Sequence, residues 1–295
     1  MTDVLHIAVG TFTMRPYVFA FFASYLVASV LHLGWKKTIR FTIAGYLIAF
    51  ASEYASINTG FPYGWYYYVE TTRHLELWVA GVPFFDSLSY VFLTYCSYSL
   101  ALLVLSPVKR IKGDLVLLET GRLRRSFALL FLGSLFQVFL DIIIDPVALQ
   151  GSRWFLGRIY GYQEVGVHFG VPLSNYLGWW LVSALLIAAL QLIDRFGKGE
   201  DKPAGVGAAP YRCLYAPFLY LCVLIFNLSV TVYIGENLMA ITGLFIVILP
   251  AAMGVVLFRQ KVDRYHKQEL AEHLADFPWS RATTAATTRT TPVRS

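Results

Sequence analysis

Long apolar runs separated by short polar clusters set the pattern of this chain. Uncharged stretches lie between Arg15 and Lys36, Asp86 and Lys109, Glu164 and Asp194, Arg212 and Glu236, and Glu236 and Arg259. Each has room for the roughly 20 residues that carry a helix across a bilayer. Two further runs hold acids inside apolar sequence: residues 41–58 contain Glu53, and residues 126–149 contain Asp141 and Asp145. The pattern predicts an all-α fold, a polytopic membrane helical bundle of about seven transmembrane helices over residues 1–276. No basic residue precedes the first apolar stretch and no small-residue cleavage site follows it, so that span is expected to be retained rather than act as a signal peptide.

Composition agrees, with 57% hydrophobic and only 14% charged residues, and the basic residues add an orientation. One set of loops holds Lys36, Lys37 and Arg40, then Lys109, Arg110, Lys112, Arg122, Arg124 and Arg125, then Arg195, Lys198, Lys202 and Arg212, with Arg259, Lys261, Arg264 and Lys267 after the last span. The alternate loops carry Arg73, Arg153 and Arg158 and no lysine. Basic loops stay cytoplasmic, so the N-terminus is expected outside and the C-terminus in the cytoplasm, in a cell inner membrane. The net charge of +6 then belongs to membrane orientation, and no nucleic-acid partner is expected. Glu53, Asp86, Asp141 and Asp145 all fall toward the non-cytoplasmic side. The stretch from Arg195 to Arg212 reads as a flexible loop, and residues 277–295 as a disordered Thr-rich cytoplasmic tail. Cys96, Cys213 and Cys222 have no paired spacing and read as packing residues.

An ionisable residue at mid-helix costs on the order of 2.5–3.5 kcal/mol, so such residues usually face the bundle interior or a water-filled cavity. Gln137, Asp141 and Asp145 stand at i, i+4 and i+8 and form a polar stripe on one helical face. Two buried acids so placed repel each other and hold one proton between them near neutral pH, an arrangement suited to general acid and base chemistry. The alternatives are acids that anchor helix ends at the interface and, for Asp145, a hydrogen bond to the loop before Pro146.

An internal echo accompanies the acids. Gly81-Val82-Pro83 recurs as Gly170-Val171-Pro172, with Asp86 five residues after the first glycine and Asn175 five after the second. Glu53 and Asp141 precede their respective copies by similar lengths, and each intervening loop has an aromatic-glycine segment, FPYGWYYY (61–68) and WFLGRIYGY (154–162). The echo predicts a parallel internal repeat about the membrane normal with a site between its halves. Pro83 and Pro172 are expected at helix starts, where a missing N–H costs nothing. Trp65, Tyr66, Tyr67 and Tyr68 suit interfacial anchoring, the expected role for Tyr67 and Tyr68 taken alone. The glycines and proline of Thr59–Gly64, by contrast, suggest a backbone folded against the bundle.

The six histidines are scattered without the clustering that a di-iron site needs, no GxGxxG follows a strand, no span carries a lysine for a retinal Schiff base, and no DDxxD acidic motif is present. No metal and no cofactor is expected.

The combination of Glu53 with TGFPYGWYYY (59–68), the two GVP starts, DPVALQGSRW (145–154) and GVPLSNYLGWW (170–180) resembles the CruF-type carotenoid biosynthesis family, the carotenoid 1,2-hydratases. The chain departs after the first GVP, where members often have a tryptophan-bearing apolar stretch and this sequence reads FFDSLSYVF (84–92), which marks Asp86 as a subgroup feature. The resemblance implies a cofactor-independent hydro-lyase that adds water across the terminal C1–C2 double bond of an acyclic carotenoid end group by acid catalysis. The implied partners are a carotenoid such as lycopene or gamma-carotene, membrane lipids, and other carotenoid biosynthesis enzymes. Asp141 or Asp145 would donate the proton and Glu53 would activate water, with Asp86 a lesser candidate. Phe61, Tyr63, Trp65, Tyr66, Trp154, Tyr160, Asn175 and Trp179 would bind substrate. Two readings from other classes remain open: a proton-coupled lipid or isoprenoid transporter, and a non-catalytic scaffold of a pigment-synthesis complex.

Overall fold

Among the described residues six helices are long and apolar enough to cross a bilayer: α2 (Pro16–Leu33), α4 (Phe84–Leu105), α6 (Phe127–Leu149), α7 (Leu173–Phe196), α8 (Tyr215–Tyr233) and α9 (Asn237–Lys261). A further helix of 25 residues, α3 (Trp35–Thr59), carries Lys36, Lys37, Arg40 and Glu53 and is more polar than these six. The computed structural model describes residues 2–111, 113–197, 209–278 and 280. Most of the expected 195–212 loop and of the Thr-rich tail lies outside them. The protein is thus an all-α integral membrane bundle, completed by the short helices α1 (Thr2–Met14), α5 (Gly121–Arg124) and α10 (Lys267–Asp276).

α4 is the central helix, buried along most of its length and packed against α2, α3, α6, α7 and α8. α9 is the outlier: only Met239 and Gly243 are buried, so a helix apolar on all sides presents nearly its whole surface to lipid.

The repeated segments meet. β1 (Tyr66–Tyr68) pairs antiparallel with β6 (Tyr160–Tyr162), with Tyr67 opposite Gly161, so the two aromatic-glycine loops form one ribbon over the bundle. Before each GVP the chain makes the same turn, with positive φ at Ala80 and Gly81 and again at Phe169 and Gly170. Two consecutive positive φ values are what a tight two-residue hairpin requires, and glycine accepts them without a Cβ clash. The first turn joins β2 (Trp78–Val79) to β3 (Val82–Pro83). Pro83 and Pro172 occupy the N-cap positions of α4 and α7, one residue before the first helical turn.

The basic loops collect at the opposite end of the bundle from this ribbon, and several of their charges are paired. Lys37 Nζ donates to Asp194 Oδ1 at 2.9 Å, and Arg124 donates to the same oxygen at 3.1 Å and to Glu119 Oε2 at 2.9 Å. There, too, β4 (Val108–Ile111) pairs with β5 (Asp114–Leu117), and α10 seats His273 Nδ1 2.7 Å from the Glu119 carbonyl. At the ribbon end Arg15, just before α2, is buried against Glu76 at 3.3 Å and lies over the Phe85 ring.

Candidate active site

The acids are positioned by one loop that folds back and one helix that bends. Gly60 ends α3 in the left-handed conformation, and Ser56 Oγ then accepts from the Tyr63 N–H at 3.1 Å while donating to the Gly64 carbonyl at 2.8 Å. Ser174 Oγ donates to the Tyr63 carbonyl, and a Cβ at Gly178 would stand 2.6 Å from the Pro62 oxygen. The 59–64 segment is therefore folded against the bundle, as its glycines and proline predict, and Tyr63 is buried with its hydroxyl 2.9 Å from Ser52 Oγ.

In α6, Pro146 has no N–H for the carbonyl of Ile142, one turn earlier. His168, from the loop before α7, stands with Nε2 3.3 Å from that oxygen, so Nε2 carries the hydrogen and supplies the missing donor. Asp145 precedes the interruption and projects under the ribbon.

Two acidic centres result. In the first, the Tyr68 hydroxyl lies 2.6 Å from Asp86 Oδ2 and 3.1 Å from Glu53 Oε1, while Ser87 Oγ donates to Glu53 Oε2. A phenol has one hydrogen, so for both carboxyl contacts to be hydrogen bonds one of the two acids has to bring a proton of its own. In the second, Asp145 accepts from Tyr160, from Tyr162 at 2.5 Å and from Asn175 Nδ2 at 2.8 Å. The same Asn175 nitrogen donates to Asp141 Oδ2 at 2.8 Å, and Asp141 Oδ1 has no partner among the described residues. Three donors suit an ionised carboxylate at Asp145. Burial, reinforced by the Asp86 or Asp145 charge, pushes the phenols of Tyr68, Tyr160 and Tyr162 well above their usual range, so they remain protonated donors.

Both centres open on one cavity of about 120 Å³. Glu53, Asp86, Asp145, Asn175, Tyr63, Tyr66, Tyr160, Trp154 and Trp179, all expected from sequence, line it. Three of the expected residues do not. Asp141 is fully buried behind Asn175, off the wall, because its place one turn deeper in α6 points it into the packing with α7. Phe61 and Trp65 are 64% and 49% exposed, since the turn that buries Tyr63 directs its neighbours outward. Tyr67, 43% exposed, fits interfacial anchoring; Tyr68 does not, being the hydroxyl that joins Glu53 to Asp86. Sequence reasoning also missed Ser87, Tyr162 and Tyr90, whose ring stacks on that of Trp179 at 4.2 Å on the cavity wall. Tyr162 closes the aromatic-glycine segment 154–162, but only the pairing of β1 with β6 sets it opposite Tyr66. Among the described residues no three of His, Cys, Asp and Glu group as metal ligands.

Comparison with known proteins matches the chain to a bisanhydrobacterioruberin hydratase of Haloarcula japonica, 28% identical over 190 residues, covering 64% of this chain and 54% of that protein. The chain thus spans about half the length of the curated relative it matches. No solved structure matches. The family model described as carotenoid biosynthesis protein matches residues 4–250, and both acidic centres fall inside that span: the chain belongs to this family.

Proposed function

We propose that the protein is a carotenoid hydratase, adding water to the terminal C1–C2 double bond of an acyclic carotenoid end group. The observation that carries this reading is the Tyr68 hydroxyl held between Glu53 and Asp86 on the wall of an aromatic cavity. That unit stores one proton beside an apolar chamber, as protonation of an alkene carbon requires. The proton passes to C2 of the end group, leaving a tertiary cation at C1. The faces of Tyr90 and Trp179 and the donor-held carboxylate of Asp145 stabilise that cation, the aromatic contribution being ~2 kcal/mol in a desolvated site. A water molecule then bonds through oxygen to C1, and its surplus proton returns to the Glu53–Tyr68–Asp86 unit. The sum is one water added, with the acid regenerated and no redox change. In this scheme Glu53 and Asp86 act together as acid and then base, Asp145 is the electrostatic partner, and Asp141 holds Asn175 in position.

The substrate class draws support from the family and from the hydratase relative. The test is to supply lycopene to membranes containing the protein and analyse the pigments by mass. A product heavier by one water, with its oxygen from labelled water, is expected. Unchanged lycopene, or oxygen taken from O2, would remove the reading; movement of unchanged pigment driven by a proton gradient would replace it with transport.

A further inference from the structure

The acid chamber is not closed by polar protein on every side. From Asp86 it extends toward α2 and α8, where Tyr17, Phe21, Val223 and Asn227 form part of the same lining. Tyr17 and Phe21 lie one turn apart and so share a face of α2. Across from them Phe226 of α8 stacks on Tyr17, the centroids 5.0 Å apart, and packs edge-on against Phe21 at 5.7 Å. From the ribbon loop, Trp154 and Phe155 approach Tyr17 at 6.2 and 5.6 Å. Phe155 is 59% exposed, and Tyr17 and Phe226 are half-buried, so these rings stand between the chamber and the outer surface of the bundle.

A carotenoid is comparable in length to the roughly 30 Å hydrocarbon core, far longer than the chamber, so most of such a molecule has to lie elsewhere. The seam is walled mainly by aromatic and aliphatic side chains; its polar members are Tyr17 and Asn227, and Asn227 Nδ2 is already held by the Val223 carbonyl at 2.9 Å. Its closure rests on ring contacts, which part more readily than a buried ion pair. Flat rings also match the faces of a conjugated chain.

We propose that the seam between α2 and α8, closed by Tyr17, Phe226, Trp154 and Phe155, is the lateral portal through which the conjugated chain leaves the acid chamber. The protein then reads the end group it hydrates and leaves the far end in lipid. This rests on the hydratase reading for the identity of the occupant. Acyl chains of lipid are the competing occupant.

The full chain in lipid nanodiscs tests it. Lycopene is achiral and gains visible circular dichroism only when held by protein, so binding is measurable in the Glu53→Gln variant without turnover. Phe226→Ala should weaken that binding about tenfold, as loss of an aromatic contact and its buried area implies, while Phe226→Tyr should retain it and report that the fold is intact. In a Tyr17→Cys, Phe226→Cys double variant, joining the two thiols with a short cleavable reagent should stop lycopene hydration, and reductant should restore it. Lycopene and gamma-carotene should be hydrated with kcat/KM values within about threefold per acyclic end, whereas a pocket enclosing the far end would discriminate tenfold or more. Hydration that persists through the cross-link, or strong discrimination between the two carotenoids, overturns the portal. Induced dichroism unaffected by Phe226→Ala overturns it as well and leaves the seam to lipid. Lycopene bound with this dependence but never hydrated would sink the hydratase reading and keep the portal; lycopene neither bound nor hydrated would sink both.

Discussion

Tyr68 and Asp86 are joined by a 2.6 Å hydrogen bond that ties the ribbon over the bundle to the first turn of α4. The same hydroxyl reaches Glu53 on α3, so three elements meet at one oxygen. If the three groups act as one acid, Glu53→Gln and Asp86→Asn should each lower hydration by about 10²–10⁴-fold, the usual range for loss of general acid–base catalysis. Tyr68→Phe should cost less, because both carboxyls remain. The double variant Tyr68→Phe, Asp86→Asn should be close to Asp86→Asn alone, since groups acting as a unit are strongly non-additive. Rates multiplying independently in this cycle would break up the unit.

Asp141 and Asp86 exchange rank between sequence and structure. Sequence favours Asp141 for its depth in an apolar span and discounts Asp86 as a subgroup feature. Asp141, however, sits behind Asn175, whereas Asp86 is on the cavity wall. In membranes with matched protein amounts, Asp141→Asn should retain activity within about tenfold of the parent, as expected when shape survives and no reacting group is lost, while Asp86→Asn should fall by about 10²-fold or more. Asp141→Asn as damaging as Asp86→Asn would return the donor role to Asp141.

Much of this architecture was legible because lipid imposes a simple rule: unbroken apolar runs become helices, and acids inside them turn inward. The GVP echo and its two helix-starting prolines were equally readable, whereas the positive φ at Ala80 and Phe169 left no mark in the sequence. The joining of the two halves was not legible either. That Tyr68 serves Glu53 and Asp86, while Tyr160 and Tyr162 serve Asp145, depends on the pairing of β1 with β6. A three-residue strand of tyrosines reads equally well as an interfacial belt. Arg15 carried no signal of burial either, because its partner Glu76 lies in a distant loop.

The ion network at the basic end should make stability depend on pH. Burial alone would raise the Glu119 carboxyl, but Arg124, aided by His32, outweighs it and holds Glu119 well below the ordinary carboxylate range. A depressed acid stabilises the fold above its unfolded value of about 4.3 and loses that contribution as pH falls through its folded value. His273 is depressed by burial, against the opposing pull of the Glu119 carbonyl and charge. A depressed imidazole contributes stability above about pH 6.5 and loses it as pH falls from there toward its folded value. Thermal unfolding in detergent should therefore weaken in two stages on acidification. His273→Gln should shrink the upper stage and Glu119→Gln the lower. A melting temperature flat from neutral pH into the carboxylate range would contradict both assignments.

The sidedness of the acids rests on the basic loops, and the ion pairs there sharpen the prediction. Lys37 and Arg124 are matched by Asp194 and Glu119, so the net charge of that end is smaller than its count of basic residues suggests. Orientation follows the lysines and arginines near the spans and owes little to acids, so this pairing should not alter the insertion. Arg15 belongs to the ribbon end, but it is one buried residue set against the many basic residues opposite. Cysteines placed at Thr72, in the loop before β2, and at Arg122, on α5, stand at opposite ends of the bundle, the first half-buried and the second exposed. In intact cells an impermeant thiol reagent should label position 72 and reach position 122 only after the membrane is opened. The reverse pattern would turn the molecule over and put the acids, the ribbon and the portal on the cytoplasmic side.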